Sequence, residues 1–118
     1  MRIWLVAIVL VTGVVATEAQ KPALSTGKAK EAKKLFKLRC AKCHGTDGAG
    51  DSPYGKIVGA TNLRDPKWQE KVDDDRLMNS IKHGRGQMPG FNKKLTDDQI
   101  DSLALFVRTL RSKSTPSE

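Results

Sequence analysis

The 118-residue sequence holds only two cysteines, one tyrosine and three phenylalanines, and aromatic residues make up just 5% of it. So few large apolar side chains cannot by themselves give a chain of this length a core of ordinary size. Two cysteines allow one disulfide at most, which excludes a disulfide-dense scaffold. Acidic residues are also scarce, 13 against 21 lysines and arginines, for a net charge of +8. The basic residues are not interleaved with aromatics, so the excess does not read as a nucleic-acid surface. No internal repeat is present, and the length suits one domain.

The one long apolar stretch lies at the start. Arg2 precedes Ile3 to Val11, and Val14 and Val15 extend the run. This is short for a membrane span, which needs about 20 residues. It reads as an export signal over residues 1–19, with Thr17-Glu18-Ala19 as the recognition site. Cleavage after Ala16 and an uncleaved anchor helix are the alternatives. Removing residues 1–19 takes away one charge of each sign, so the mature part keeps its +8.

What the chain does have is Cys40-Ala41-Lys42-Cys43-His44. A C-x-x-C-H run reads as a covalent haem attachment site. Both thiols can add to vinyl groups of one macrocycle, and the adjacent imidazole can reach the iron. A buried haem would also supply the core that the side chains lack. Three rival readings fit less well. A thioredoxin-like dithiol wants a strand before the motif, whereas a lysine-rich helical stretch precedes it here. A zinc site could recruit Cys40, Cys43, His44 and His83, but adjacent residues rarely close one tetrahedral site together. A disulfide across two intervening residues would be short and strained.

Residues 20–27 read as a loose arm. A helix is expected over 28–39, from the spacing of Ala29, Ala32, Leu35 and Phe36, continuing through Cys40 and Cys43. Residues 45–61, rich in glycine, read as a loop. A second helix starts in Asp73-Asp74-Asp75, where acids meet the free amides of a first turn. Leu77, Met78 and Ile81 give it an apolar face, and Gly84 ends it. A third opens on the capping box Thr96-Asp97-Asp98-Gln99 and carries Ile100, Leu103, Ala104, Val107 and Leu110. Residues 112–118 are expected to fray as a disordered tail, leaving 28–111 as the domain.

An electron carrier needs a sixth iron ligand, and a methionine thioether suits because it raises the reduction potential. Met78, Met88 and His83 are the candidates. Met78 sits on a helical stripe, where plain core packing explains it. His83 lies near a helix C-terminus, where it interacts well with the dipole. Met88 sits in the broken segment Gly84-Arg85-Gly86-Gln87-Met88-Pro89-Gly90-Phe91, and Pro89 holds it extended. Spacing ranks Met88 first.

These elements, in this order over residues 27–111, resemble a small class I c-type cytochrome of the bacterial monohaem kind. The resemblance rests on Phe36 four residues before Cys40, on Cys40-Ala41-Lys42-Cys43-His44-Gly45, and on a glycine-rich loop reaching Pro53. Gly84 to Met88-Pro89, Leu95 and a final helix ending Leu105-Phe106-Val107-Arg108-Thr109-Leu110 complete it. It implies an all-α cytochrome c fold, with three main helices and loops around one covalent haem c. It implies Cys40 and Cys43 as attachment points, and His44 and Met88 as axial ligands. It implies the Pro53 carbonyl as acceptor for the His44 ring N–H, and Trp68 against the haem or one of its propionates. Phe36 is expected to pack near Phe106.

The expected activity is one-electron shuttling in the periplasm or another exported location, by a monomer that is not an enzyme. A haem sensor or peroxidase-like protein and a subunit of a larger redox complex are the competing classes. Arg39, Lys42, Lys82, Arg85, Lys93 and Lys94 bracket the attachment site and the methionine segment. A basic ring there would steer redox partners with acidic docking surfaces. Acidic membrane headgroups are a further transient dock.

Overall fold

The computed structural model describes residues 24–112, together with Gly13. The rest of the proposed signal, residues 20–23 of the arm and residues 113–118 lie outside the described residues. Among the described residues six helices follow one another: α1 (Thr26–Arg39), α2 (Ala41–His44), α3 (Pro53–Val58), α4 (Pro66–Lys71), α5 (Asp74–His83) and α6 (Asp97–Thr109). Among the described residues there is no strand, only an isolated bridge between Arg85 and Met88. The fold is all-α.

The three long helices form where the periodicity places them. α1 begins two residues earlier than expected, and it buries Ala32 and Phe36. α5 is capped by Asp73, whose carboxylate accepts from Arg76 N at 2.7 Å. Asp74 and Asp75 occupy its first turn, and it buries Leu77 and Ile81. The capping box of α6 is complete: Gln99 N donates to the Thr96 hydroxyl at 3.2 Å and Thr96 N to Gln99 Oε1 at 3.0 Å. The Gln99 amide also donates to Glu31 on α1.

α6 is the spine of the molecule, with α1 and α5 packed on it. The Phe36 and Phe106 rings meet with centroids 5.3 Å apart and planes tilted by 55°, within the range where aromatic pairs attract. Lys82 pairs with Asp97, and Arg108 pairs with Asp74, so α5 runs antiparallel to α6. The core gathers Phe36, Leu77, Phe91, Ile100 and Leu103 with further aliphatics.

Three differences from the sequence reading concern the shorter pieces. The helix does not run unbroken through Cys40: Cys40, at φ −114° and ψ −33°, is a one-residue turn between α1 and the short α2 that follows. Residues 45–61 are not all loop, because α3 lies inside them. Ser52 caps it, Pro53 takes its first position and Gly59 closes it in left-handed geometry. α4 uses the same device, with Asp65 as cap and Pro66 first, where a proline costs no hydrogen bond. At the end, Ser112 is not frayed: its amide and hydroxyl both donate to Arg64 O at 2.9 Å.

Candidate cofactor site

The attachment motif is shaped by one helical turn. His44 N donates to Cys40 O at 2.9 Å, which sets residues 40, 43 and 44 on one side, the i, i+3 and i+4 relation. α3 braces this turn from outside. The Ser52 hydroxyl reaches Lys42 O at 2.7 Å and Cys43 O at 3.0 Å. A Cβ at Gly55 would stand 2.0 Å from Cys43 O, so only glycine lets α3 seat there.

Both cysteines are free thiols, half-buried. Burial, with a further push from neighbouring Cys43, raises the Cys40 thiol to about 11. Among the described residues no group of three or more His, Cys, Asp or Glu is placed to hold a metal ion, and His83 is exposed.

Burial pushes the His44 imidazole below its ordinary value, opposed by its bond to Thr61, so the ring is neutral at pH 7. Its Nδ1 lies 3.0 Å from Thr61 O. A carbonyl only accepts, so the proton belongs on Nδ1, and Nε2 keeps its lone pair. The acceptor is therefore the Thr61 carbonyl and not that of Pro53, which lines neither chamber of the site. The reason is α3 itself: Pro53 is its first residue, and a first-turn carbonyl points along the helix to bond within it. Thr61 carries no side-chain signal for this role, since the backbone does the work.

The methionine comes from a different kind of structure. α5 stops at Gly84, at φ 79°, where a Cβ would stand 2.5 Å from Met88 O. Arg85 and Met88 then exchange two backbone hydrogen bonds, both 3.0 Å, closing a tight turn over Gly86 and Gln87. The chain returns beside α5, with Phe91 N on Ile81 O and Asn92 N on Lys82 O.

Two chambers, of about 130 and 420 Å³, share Cys40, His44, Arg85 and Met88 in their walls. The inner one is closed by Phe36, Leu63, Trp68, Val72 and Leu103; the outer one reaches Cys43, Tyr54 and Pro89. The structure thus brings Cys40, Cys43, His44, Met88 and Trp68 to one place. Met78 lines neither chamber. It packs against the core and lines a separate groove with Leu24 and Leu105.

The model of the family described as cytochrome c oxidase, cbb3-type, subunit III matches residues 27–107. The chain is a class I c-type cytochrome. It is 35% identical over 91 residues to the cbb3-type cytochrome c oxidase subunit CcoP of Azospirillum brasilense, covering 76% of this chain and 31% of that one. It is 36% identical over 76 residues to cytochrome c6 of Leptolyngbya boryana, covering 63% of this chain and 82% of that one. A solved structure titled KustC0563 c-type cytochrome superposes with a TM-score of 0.65 at 33% identity, over 69% of this chain and 98% of that one. The chain thus spans a quarter to a third of the length of the oxidase subunits it matches.

A c-type cytochrome carries covalent haem, and the site fits one. Two unpaired thiols, a neutral imidazole with a free Nε2 and a thioether surround chambers whose other walls are mostly apolar. Of the basic residues expected at the rim, Arg39, Lys42 and Arg85 line the chambers. Lys82, Lys93 and Lys94 do not, and Lys82 is engaged by Asp97 at 2.7 Å. The Lys42 ammonium stands 4.6 Å from the centre of the Tyr54 ring. No helix among the described residues is long and apolar enough to cross a membrane.

Proposed function

We propose that this cytochrome is an exported, monomeric, monohaem electron carrier of the periplasm, with His44 and Met88 as axial ligands. When bound, the haem supplies a one-electron couple; the chain's own residues do the rest. Cys40 and Cys43 hold it by thioethers, and Thr61 O fixes the tautomer and plane of His44, a bond that also makes the ligand more basic. Met88 offers a soft sulfur that favours the reduced state. Phe36, Leu63, Trp68 and Val72 exclude water. If His44 and Met88 both held the iron, no position would be left for a substrate, which fits a carrier rather than an enzyme. Lys42, Arg39 and Arg85 at the chamber rim suit an acidic partner surface.

The observation that carries this reading is that His44 and Met88 line the same two chambers while Met78 and His83 line neither. The test is carbon monoxide binding to the reduced protein. Wild type is expected to bind little, and Met88→Ala to bind readily. If Met78→Ala or His83→Ala opens the site and Met88→Ala does not, the ligand assignment falls.

The oxidase-subunit relatives favour a second reading, in which this domain delivers electrons inside a larger oxidase assembly. Co-purification with a large membrane complex would select it over a free carrier.

A further inference from the structure

Leu63, Trp68 and Val72 all line the inner chamber, and all come from residues 62–73. That segment contains a single six-residue helix, α4, too short to persist by itself. What fastens it is a polar cluster at α6. Gln69, 5% exposed, donates through Nε2 to Leu63 O and to Val107 O, each at 2.8 Å. Its Oε1 accepts from Arg108 Nη1 at 3.0 Å. The same guanidinium donates from Nη1 to Gln69 O at 2.7 Å, from Nη2 to Val72 O and from Nε to Asp74 at 2.7 Å. Arg108 therefore satisfies carbonyls at the open end of α4, which a helix leaves without partners, and ties them to the start of α5. Among the described residues no buried side-chain polar atom is left unsatisfied. Arg108 itself lines neither chamber.

We propose that Gln69 and Arg108 form a latch that holds the Trp68 wall closed over the cofactor, and that this closure, by keeping water out, sets its reduction potential. Both are positioning residues, acting through Leu63, Trp68 and Val72. The proposal rests on the haem reading of the site. A dry, apolar surround disfavours the more highly charged oxidised state, so admitting water lowers the potential.

The test uses the haem-loaded protein with Arg108→Lys and, separately, Gln69→Ala. Lysine keeps the charge but not the planar fork that reaches several acceptors at once, so a lowered potential in Arg108→Lys is not the loss of a cation. Leu95→Ala, a core change outside the wall, serves as a control of comparable instability. Amide exchange over residues 63–72 is expected to quicken about tenfold or more in both latch variants, while that of residues 100–104 in α6 changes little. The potential should fall in both, and not in Leu95→Ala. Wall exchange at the wild-type rate, exchange that quickens evenly across the fold, or an equal fall in Leu95→Ala would overturn the latch. A wrong ligand assignment, by contrast, already shows in the spectrum of the wild-type protein, before any latch variant is made.

Discussion

The two sides of the cofactor site are held by unlike means. On the histidine side, a helical turn, a bracing helix and a side-chain hydrogen bond converge. Ser52 reaches Lys42 O and Cys43 O, Gly55 lets α3 sit against Cys43, and Thr61 O anchors the imidazole. On the methionine side the backbone alone does the positioning, through the Arg85–Met88 pair and the left-handed Gly84 and Gly86. A thioether offers no strong hydrogen bond by which to fix it. The difference teaches that one ligand is locked and the other presented, so the methionine side is where the site should open first.

The largest expected effect comes from breaking the locked side. Cys40→Ala or Cys43→Ala should abolish stable covalent haem retention. Without haem the chain should be largely unfolded, because the core that Phe36, Leu103 and Ile100 anchor is small. Circular dichroism of haem-free protein is the measurement. A cooperative, native-like helical melt would show that the polypeptide supplies its own core and that the locked side matters only for chemistry.

A pair of glycine substitutions sharpens the contrast. Gly84→Ala forces a side chain into left-handed backbone and onto Met88 O, at a cost of about 1–3 kcal/mol, or very roughly 4–20 °C in Tm. It should also raise carbon monoxide binding, because Met88 loses its presentation. Gly55→Ala presses a Cβ against Cys43 O and should destabilise at least as much. Thioethers and the Thr61 bond would still hold His44, so methionine ligation should survive. Equal carbon monoxide binding in the two variants would erase the distinction between the sides.

The legible parts of this chain were those where local chemistry is also global. The three long helices follow from periodicity and from Asp73 and Thr96 as caps, because their apolar faces are the core. Ser52-Pro53 and Asp65-Pro66 are helix starts just as plain, yet glycines nearby drew residues 45–61 toward loop. What could not be read was any role carried by a carbonyl. Thr61 acts through its backbone, and Pro53, to which the family resemblance gave that role, is instead the first residue of a helix. The Gln69–Arg108 cluster was hidden for a related reason. Its acceptors are mainly the carbonyls of Leu63, Gln69, Val72 and Val107, brought together only by tertiary packing across about 40 residues of chain.

The smallest expected effect concerns the rim, and it asks whether the presented side is also the docking side. Arg85 lines both chambers, Lys93 and Lys94 are exposed beyond it, and neither lysine has an ion pair among the described residues. Lys82 is already paired with Asp97 at 2.7 Å, although exposed pairs of this kind contribute little to stability on their own. Lys93→Glu or Lys94→Glu, each alone, should therefore slow electron transfer to an acidic partner more than Lys82→Glu does. The haem spectrum should stay intact, since these charges act at encounter. Lys30→Glu, on α1 and lining neither chamber, should matter least. The losses should fade with added salt, as the Debye length shortens from about 10 Å at 0.1 M to about 3 Å at 1 M. Stopped-flow rates against ionic strength decide it. A salt-independent wild-type rate, or equal losses from Lys30→Glu and the rim variants, would mean that docking is apolar, through exposed groups such as Tyr54 and Ile57, and that the methionine side is not the face a partner meets.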